Sequence, residues 1–185
     1  MAERKKGKWT IKETYKRFEN EFFKVYEDDV IQPDGRPGTY ATIKFPAGVA
    51  VLPVDEDGTA YLTRQFRYAL GTMNVEAVCG AIDDEDPLEA AKRETKEEIG
   101  VEAEEWISLG KIQTDTSITN STSHLFLARK LTHKKPEREG TEDIELLKIP
   151  LADAVEKVLS GEITNGQTCV LVLKAHEKFN SSRKD

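Results

Sequence analysis

The chain has 185 residues, enough for one well-cored domain with an appendage and too short for two ordinary domains joined by a linker. A formal charge of −7 and a pI near 5.2 argue against a nucleic-acid polymer as partner, because a phosphate backbone calls for a basic stripe; a small phosphorylated substrate held through a divalent metal stays compatible. No apolar run approaches the ~18 residues of a membrane span, no apolar core follows the basic stretch Met1 to Lys8, and Cys79 and Cys169 read as reduced thiols without zinc-type spacing, so the expected setting is cytoplasmic with no membrane partner.

In chain order, Met1 to Lys8 reads as a frayed basic tail. The aromatic, strand-prone residues that follow predict strands around 9–13 and 21–31, and the turn Pro33-Asp34-Gly35 joins the second to a strand at Thr39–Phe45. Ala47–Val54 and Thr59–Phe66 flank the turn Asp55-Glu56-Asp57-Gly58 as a second hairpin. Arg64 and Arg67 either bind a diphosphate or neutralise nearby glutamates. Val75–Cys79 is a short strand leading to Gly80. Next comes a helix with written ends: Asp86 as N-cap, Pro87 at the first position, Glu89 completing a capping box and Gly100 as the stop. Further strands are expected at Trp106–Gln113, His124–Leu131 and Ile144–Ile149, with a charged loop at Lys134–Thr141 and closing helices at Leu151–Leu159 and Gln167–Phe179. This order predicts an α/β fold, a mixed sheet with helices on its faces.

The helix carries the chemistry. Leu88, Ala91, Thr95 and Ile99 form one mostly apolar stripe, while Glu97 and Glu98 lie roughly 60° and roughly 40° to either side of Glu94 on the wheel. Two unit charges about 5 Å apart repel by roughly 3 kcal/mol at an effective dielectric near 20, so three carboxylates in one patch call for a cation. Hard oxygen donors select Mg²⁺, Mn²⁺ or Ca²⁺, and a partial set with room left for water and phosphate is the usual arrangement for Mg²⁺, with Mn²⁺ possible. Ordinary pairing with Lys92, Arg93 and Lys96 on a solvated face is the competing reading.

Gly80 to Val101 resembles the Nudix box, whose pattern is Gly, five residues, Glu, seven residues, Arg-Glu, an apolar residue, any residue, Glu-Glu, any residue, Gly and an apolar residue. Arg93, Glu94, Glu97, Glu98, Gly100 and Val101 fall in place and the isolated glutamate is Glu85; four residues rather than five separate it from Gly80, and Thr95 replaces the apolar residue. Together with Arg64-Gln65-Phe66-Arg67 and Glu76, the chain from about Trp9 onward resembles the ADP-ribose pyrophosphatase branch of that family. The resemblance implies an α/β/α sandwich with a mixed sheet plus an N-terminal antiparallel β region, divided as 1–45 (tail, strands, dimerisation) and 46–185 (hydrolase domain). It also implies a homodimer in which the N-terminal strands, Trp9 among them, contribute to the partner's substrate site.

By position the resemblance makes Glu94 and Glu98 the main metal ligands, Glu97 a further ligand or an orienting acid, and the Cys79 carbonyl another donor. Glu85 either holds Arg93 or joins a second metal. Arg93 stands in the catalytic set with a base on the loop from Glu137 to Glu145, Glu142 first and Glu139 next; Arg64, Arg67, Glu76 and Trp9 are the substrate contacts. The implied reaction is Mg²⁺-dependent hydrolysis of the pyrophosphate of a nucleoside diphosphate sugar. Thr116 and Ser117 stand where the ADP-ribose subgroup usually carries proline, so ADP-ribose leads a class that includes ADP-glucose and GDP-mannose. A nucleotide-sugar sensor without turnover and a non-enzymatic interaction protein are the readings from other classes.

Overall fold

The computed structural model describes residues 3–137 and 143–181. By their contacts they divide into two units: the N-terminal segment through Pro46 together with Gln113–Ser121, and Ala47–Ile112 together with the chain from Thr122 on.

The first unit is an antiparallel sheet of β1 (Arg4–Lys6), β2 (Trp9–Glu19), β3 (Lys24–Ile31) and β4 (Pro37–Lys44), paired in that order. The expected frayed tail is corrected here, since Arg4–Lys6 pairs with Trp9–Ile11 and Lys5 Nζ donates to Thr10 Oγ1 at 2.6 Å. A lysine-rich edge strand is one way to blunt an open sheet edge, and its charge hides it from a hydrophobic pattern. The expected break between residues 13 and 21 is also absent. β2 runs through to Glu19, absorbing its extra length in register shifts at Ile11/Glu13 and Lys16/Phe18. The backbone of Gln32 and Arg36 closes the turn at Pro33-Asp34-Gly35, where Gly35 takes φ 87°.

The second unit holds β5 (Gly48–Pro53), β6 (Thr59–Arg67), β7 (Thr72–Glu76), β8 (Val78–Ala81), α1 (Pro87–Ile99), β9 (Val101–Gln113) up to Ile112, β10 (Thr122–His133), β11 (Ile144–Pro150), α2 (Leu151–Leu159) and α3 (Gly166–Ser181). Its four-stranded sheet has the order β8-β5-β10-β9 and is mixed, with β5 parallel to β10 and antiparallel to β8; β11-β6-β7 form an antiparallel sheet. β5 is apolar along its length because both faces are covered. Val49 and Val51 join Val78, Phe126 and α1's Ala90, Ala91 and Ile99, whereas Ala50 and Leu52 join Leu125, Leu127 and α3's Leu171, Val172 and Ala175. The unit is thus an α/β/α sandwich with a mixed sheet.

The expected single strand Val75–Cys79 is two. The chain leaves one sheet at Glu76 and enters the other at Val78, and the Ala77 N–H at the crossing donates to Thr168 Oγ1 of α3 at 3.0 Å. Helix α1 starts and stops where the sequence predicts. Asp86 Oδ1 accepts from the Leu88 N–H at 2.9 Å, and Gly100 closes the helix at φ 65°. Glu89 pairs with Lys92 Nζ at 2.7 Å. A Cβ on Gly100 would meet the Lys134 carbonyl oxygen at 2.3 Å, so sterics as well as φ reserve the position for glycine.

Candidate active site

The site is built where β8 delivers the chain to α1. Gly80 lies on the sheet face that α1 covers, and the Glu94 side chain fills the space that a Cβ there would take, 1.9 Å from Glu94 Cδ. The loop one residue shorter than the family pattern is closed with Asp84 in the left-handed region, φ 55°. Arg93 ties loop and helix together. Its Nε and Nη2 donate to Glu85 Oε1 at 3.1 and 2.8 Å, its Nη2 to the Ala81 carbonyl at 3.1 Å, and its Nη1 to Glu94 Oε1 at 2.8 Å and Glu97 Oε2 at 3.1 Å. One guanidinium thus balances part of the acidic patch, and Glu85 is placed against Arg93.

Glu98 does not lie on a solvated acidic face, being only 5% exposed. Burial pushes the Cys79 thiol up, and the nearby charges of Glu98, Glu76 and Glu94 push it further against the opposing effect of Arg67. Cys79 Sγ accepts from Gln167 Nε2 of α3 at 3.4 Å. Among the described residues no three acidic, thiol or imidazole groups form a metal cage by themselves. A hard divalent cation that keeps several waters needs only one or two carboxylates, and the buried Glu98 with the cradled Glu94 one helical turn before it fits that requirement.

Beside this patch, Glu76 is 2% exposed and both of its oxygens are engaged. Arg67 Nε donates to Oε1 at 3.0 Å, Arg67 Nη2 donates to Oε2, and Asn74 Nδ2 donates to Oε1 at 2.8 Å. The Glu76 hydrogen bond raises the Arg67 pKa, with the neighbouring Glu98 charge adding to it, so the guanidinium stays charged. Arg64 lies three residues from Arg67 along β6, so the strand's period of two turns it to the opposite face. There it stands across from Glu145 of β11, with Nη1 3.5 Å from Glu145 Oε2.

Trp9 belongs to the first unit, packed edge-on against Tyr40 with centroids 5.4 Å apart. Both line a cavity of about 430 Å³ within that unit, which also receives Asp28, Lys44, Ser117 and Asn120. Glu139 and Glu142, the expected bases, lie outside the described residues. Sequence reasoning missed Asn74, Gln167 and Thr168. Asn74 carried a signal, since it stands two residues before Glu76 and hence on the same strand face; Gln167 and Thr168 carried none, because only the docking of α3 brings them to the site.

The NUDIX domain family pattern matches residues 44–171. The chain is 30% identical over 158 residues to an ADP-ribose pyrophosphatase of Bacillus subtilis (strain 168), covering 84% of this chain and 85% of that one. It is 29% identical over 123 residues to a GDP-mannose pyrophosphatase of Escherichia coli (strain K12), covering 62% of this chain and 64% of that one. A crystal structure of an ADP compounds hydrolase superposes with a TM-score of 0.82 at 23% identity, covering 97% of this chain and 98% of that one. With a glycine-cradled glutamate, a buried glutamate one turn on and an arginine bound to the loop before them, the chain belongs to the NUDIX family, in its ADP-ribose pyrophosphatase branch, and is a Nudix pyrophosphohydrolase.

Proposed function

We propose that the protein hydrolyses the pyrophosphate bond of a nucleoside diphosphate sugar, ADP-ribose first, with Mg²⁺, to a nucleoside monophosphate and a sugar phosphate. The observation that carries this reading is Glu94 seated against Gly80 with the buried Glu98 one helical turn on, together with an Arg67 guanidinium gripped by the buried Glu76. Glu94, Glu98 and the Cys79 carbonyl would hold the metal, with Glu97 beside them; bound there, it would neutralise the diphosphate and acidify a water. Arg67 then offers charge-assisted hydrogen bonds to a phosphate, and Arg93 keeps Glu94 and Glu97 oriented. Arg64 on the opposite strand face and Trp9 beside Tyr40 complete the proposed substrate contacts, and Glu142 or Glu139 is the proposed base. Residues 1–45 are proposed to mediate a homodimer and 46–185 to form the hydrolase domain, working in the cytoplasm.

The test is a panel of ADP-ribose, ADP-glucose and GDP-mannose assayed with Mg²⁺ and with Mn²⁺, with the nucleoside monophosphate and sugar phosphate quantified. ADP-ribose is expected to have the highest kcat/KM. Preference for GDP-mannose would move the substrate within the class, and no turnover of any member with either metal would overturn the reading.

A further inference from the structure

We propose that Asn74 is a positioning residue for substrate binding, acting through Glu76 to hold the Arg67 guanidinium in one orientation; this rests on the reading of Arg67 as a phosphate contact. Three observations carry it. Asn74 and Glu76 are alternate residues of β7, so their side chains share a face, and they are 8% and 2% exposed. The Asn74 Nδ2 hydrogen bond of 2.8 Å goes to the same Glu76 oxygen, Oε1, that accepts from Arg67 Nε. The strand backbone that carries the carboxylate is tied as well, because the Glu76 backbone carbonyl accepts from the buried Thr63 Oγ1 at 3.1 Å.

A carboxylate that grips a guanidinium through both oxygens sets the plane of the pair only if its own torsion is fixed. Two χ angles separate the Glu76 carboxyl carbon from its Cβ, and a buried amide donor is the group in this network that stops its rotation. Asn74 suits the role better than a cation would, since an added charge would compete with Arg67 for Glu76. Arg67 Nε and Nη2 are engaged with Glu76; the remaining edge of the guanidinium is what a phosphate oxygen would meet, and Asn74 decides where that edge points.

The test is a double-mutant cycle on the full chain, with steady-state hydrolysis of ADP-ribose in Mg²⁺. Asn74→Leu removes the donor while keeping the branched heavy-atom shape of the side chain. It is expected to raise KM by roughly tenfold, the range for losing a hydrogen bond to a charged group, with kcat changed less than about twofold. In the Arg67→Ala background the same substitution should change KM by less than about twofold, because the guanidinium it would orient is gone. Asn74→Asp keeps the shape and replaces the donor with a like charge, and it should follow the same pattern if the leucine variant does not fold. An unchanged KM for both variants in the otherwise native chain would overturn the proposal, as would an equal rise in both backgrounds. If Arg67→Ala alone leaves KM unchanged, the underlying reading of Arg67 fails, and that single variant identifies it as the point of failure. A purely structural role would lower the melting temperature and the active fraction without moving KM.

Discussion

The Glu94 carboxylate rests where the side chain of residue 80 would be, with Glu94 Oε1 2.0 Å from an ideal Cβ built on Gly80. The contact is with the end of a flexible side chain, and the backbone of Gly80 is not in the left-handed region, so the fold has no strong objection to alanine there. Glu94 must move instead. Gly80→Ala is therefore expected to lower kcat at least tenfold while the melting temperature shifts by only a few degrees, about 1 kcal/mol for a domain of this size. Loss of the fold, or full activity, would remove Gly80 from its role as the seat of Glu94.

Glu98→Gln removes a buried charge at nearly constant shape. Without metal the variant should be as stable as the native chain or more so, since a neutral amide costs less to bury than a carboxylate. Metal linkage should report the loss. The native chain at a Mn²⁺ concentration of 100 Kd gains about 2.7 kcal/mol, and the variant should gain little while turnover disappears. An equal metal-induced rise in melting temperature for both chains would exclude Glu98 as a ligand.

Cys79 gives a pH signature. The Cys79 thiol is raised above its ordinary value of 9.0, by burial first and then by Glu98 and Glu76. A group whose folded pKa is raised contributes stability that is fully present below the unfolded value and is lost as pH rises past it. Urea midpoints of the metal-free chain and of Cys79→Ala are expected to keep a constant difference up to about pH 8, and the native chain should lose stability relative to the variant above about pH 9. A constant difference through about pH 10 would show that Cys79 titrates normally.

Helix α1 was legible in the sequence because its boundaries are local chemistry: Asp86, Pro87 and Gly100 act within one turn of where they stand. The burial of Glu98 was not legible, because the wheel places it beside Glu94 and only the packing of α1 against β8 separates the cradled acid from the buried one. The edge strand Arg4–Lys6 was hidden by its charge, and the switch at Ala77 by an anchor, Thr168, that lies 91 residues further on. The strand period of two was enough by itself to put Arg64 and Arg67 on opposite faces of β6.

Thr95, the residue that departs from the family pattern, is fully buried, and its hydroxyl donates to the Ala91 carbonyl at 2.7 Å. That carbonyl lies one turn back in the same helix, so the bond is a local supplement rather than a tertiary tie. Thr95→Val keeps the volume, exchanges a satisfied hydroxyl for a methyl and leaves the helix ladder intact. The expected change in unfolding free energy is within about 1 kcal/mol, with activity unchanged. A loss above about 2 kcal/mol would mean that the hydroxyl supports α1 in a way its single bond does not reveal.

The aromatic cluster of the first unit predicts an assembly. Phe23 sits 5.5 Å from both Phe18 and Phe45, and Phe18, Phe22 and Phe45 are 50%, 67% and 45% exposed. An exposed aromatic patch of this kind at one end of a sheet marks an interaction surface. A second copy is the expected partner, since closed C2 dimers are the commonest soluble oligomers and a stable one buries ~800 Å² per chain around aromatic anchors. Sedimentation at micromolar concentration should give the mass of two 20.8 kDa chains. Phe18→Ser with Phe45→Ser should shift that mass toward one chain and, if residues 1–45 help to build the partner's site, raise KM for ADP-ribose in the same concentration range. A native chain that sediments as a monomer with full activity would remove both the dimer and the contribution of the N-terminal strands to the site.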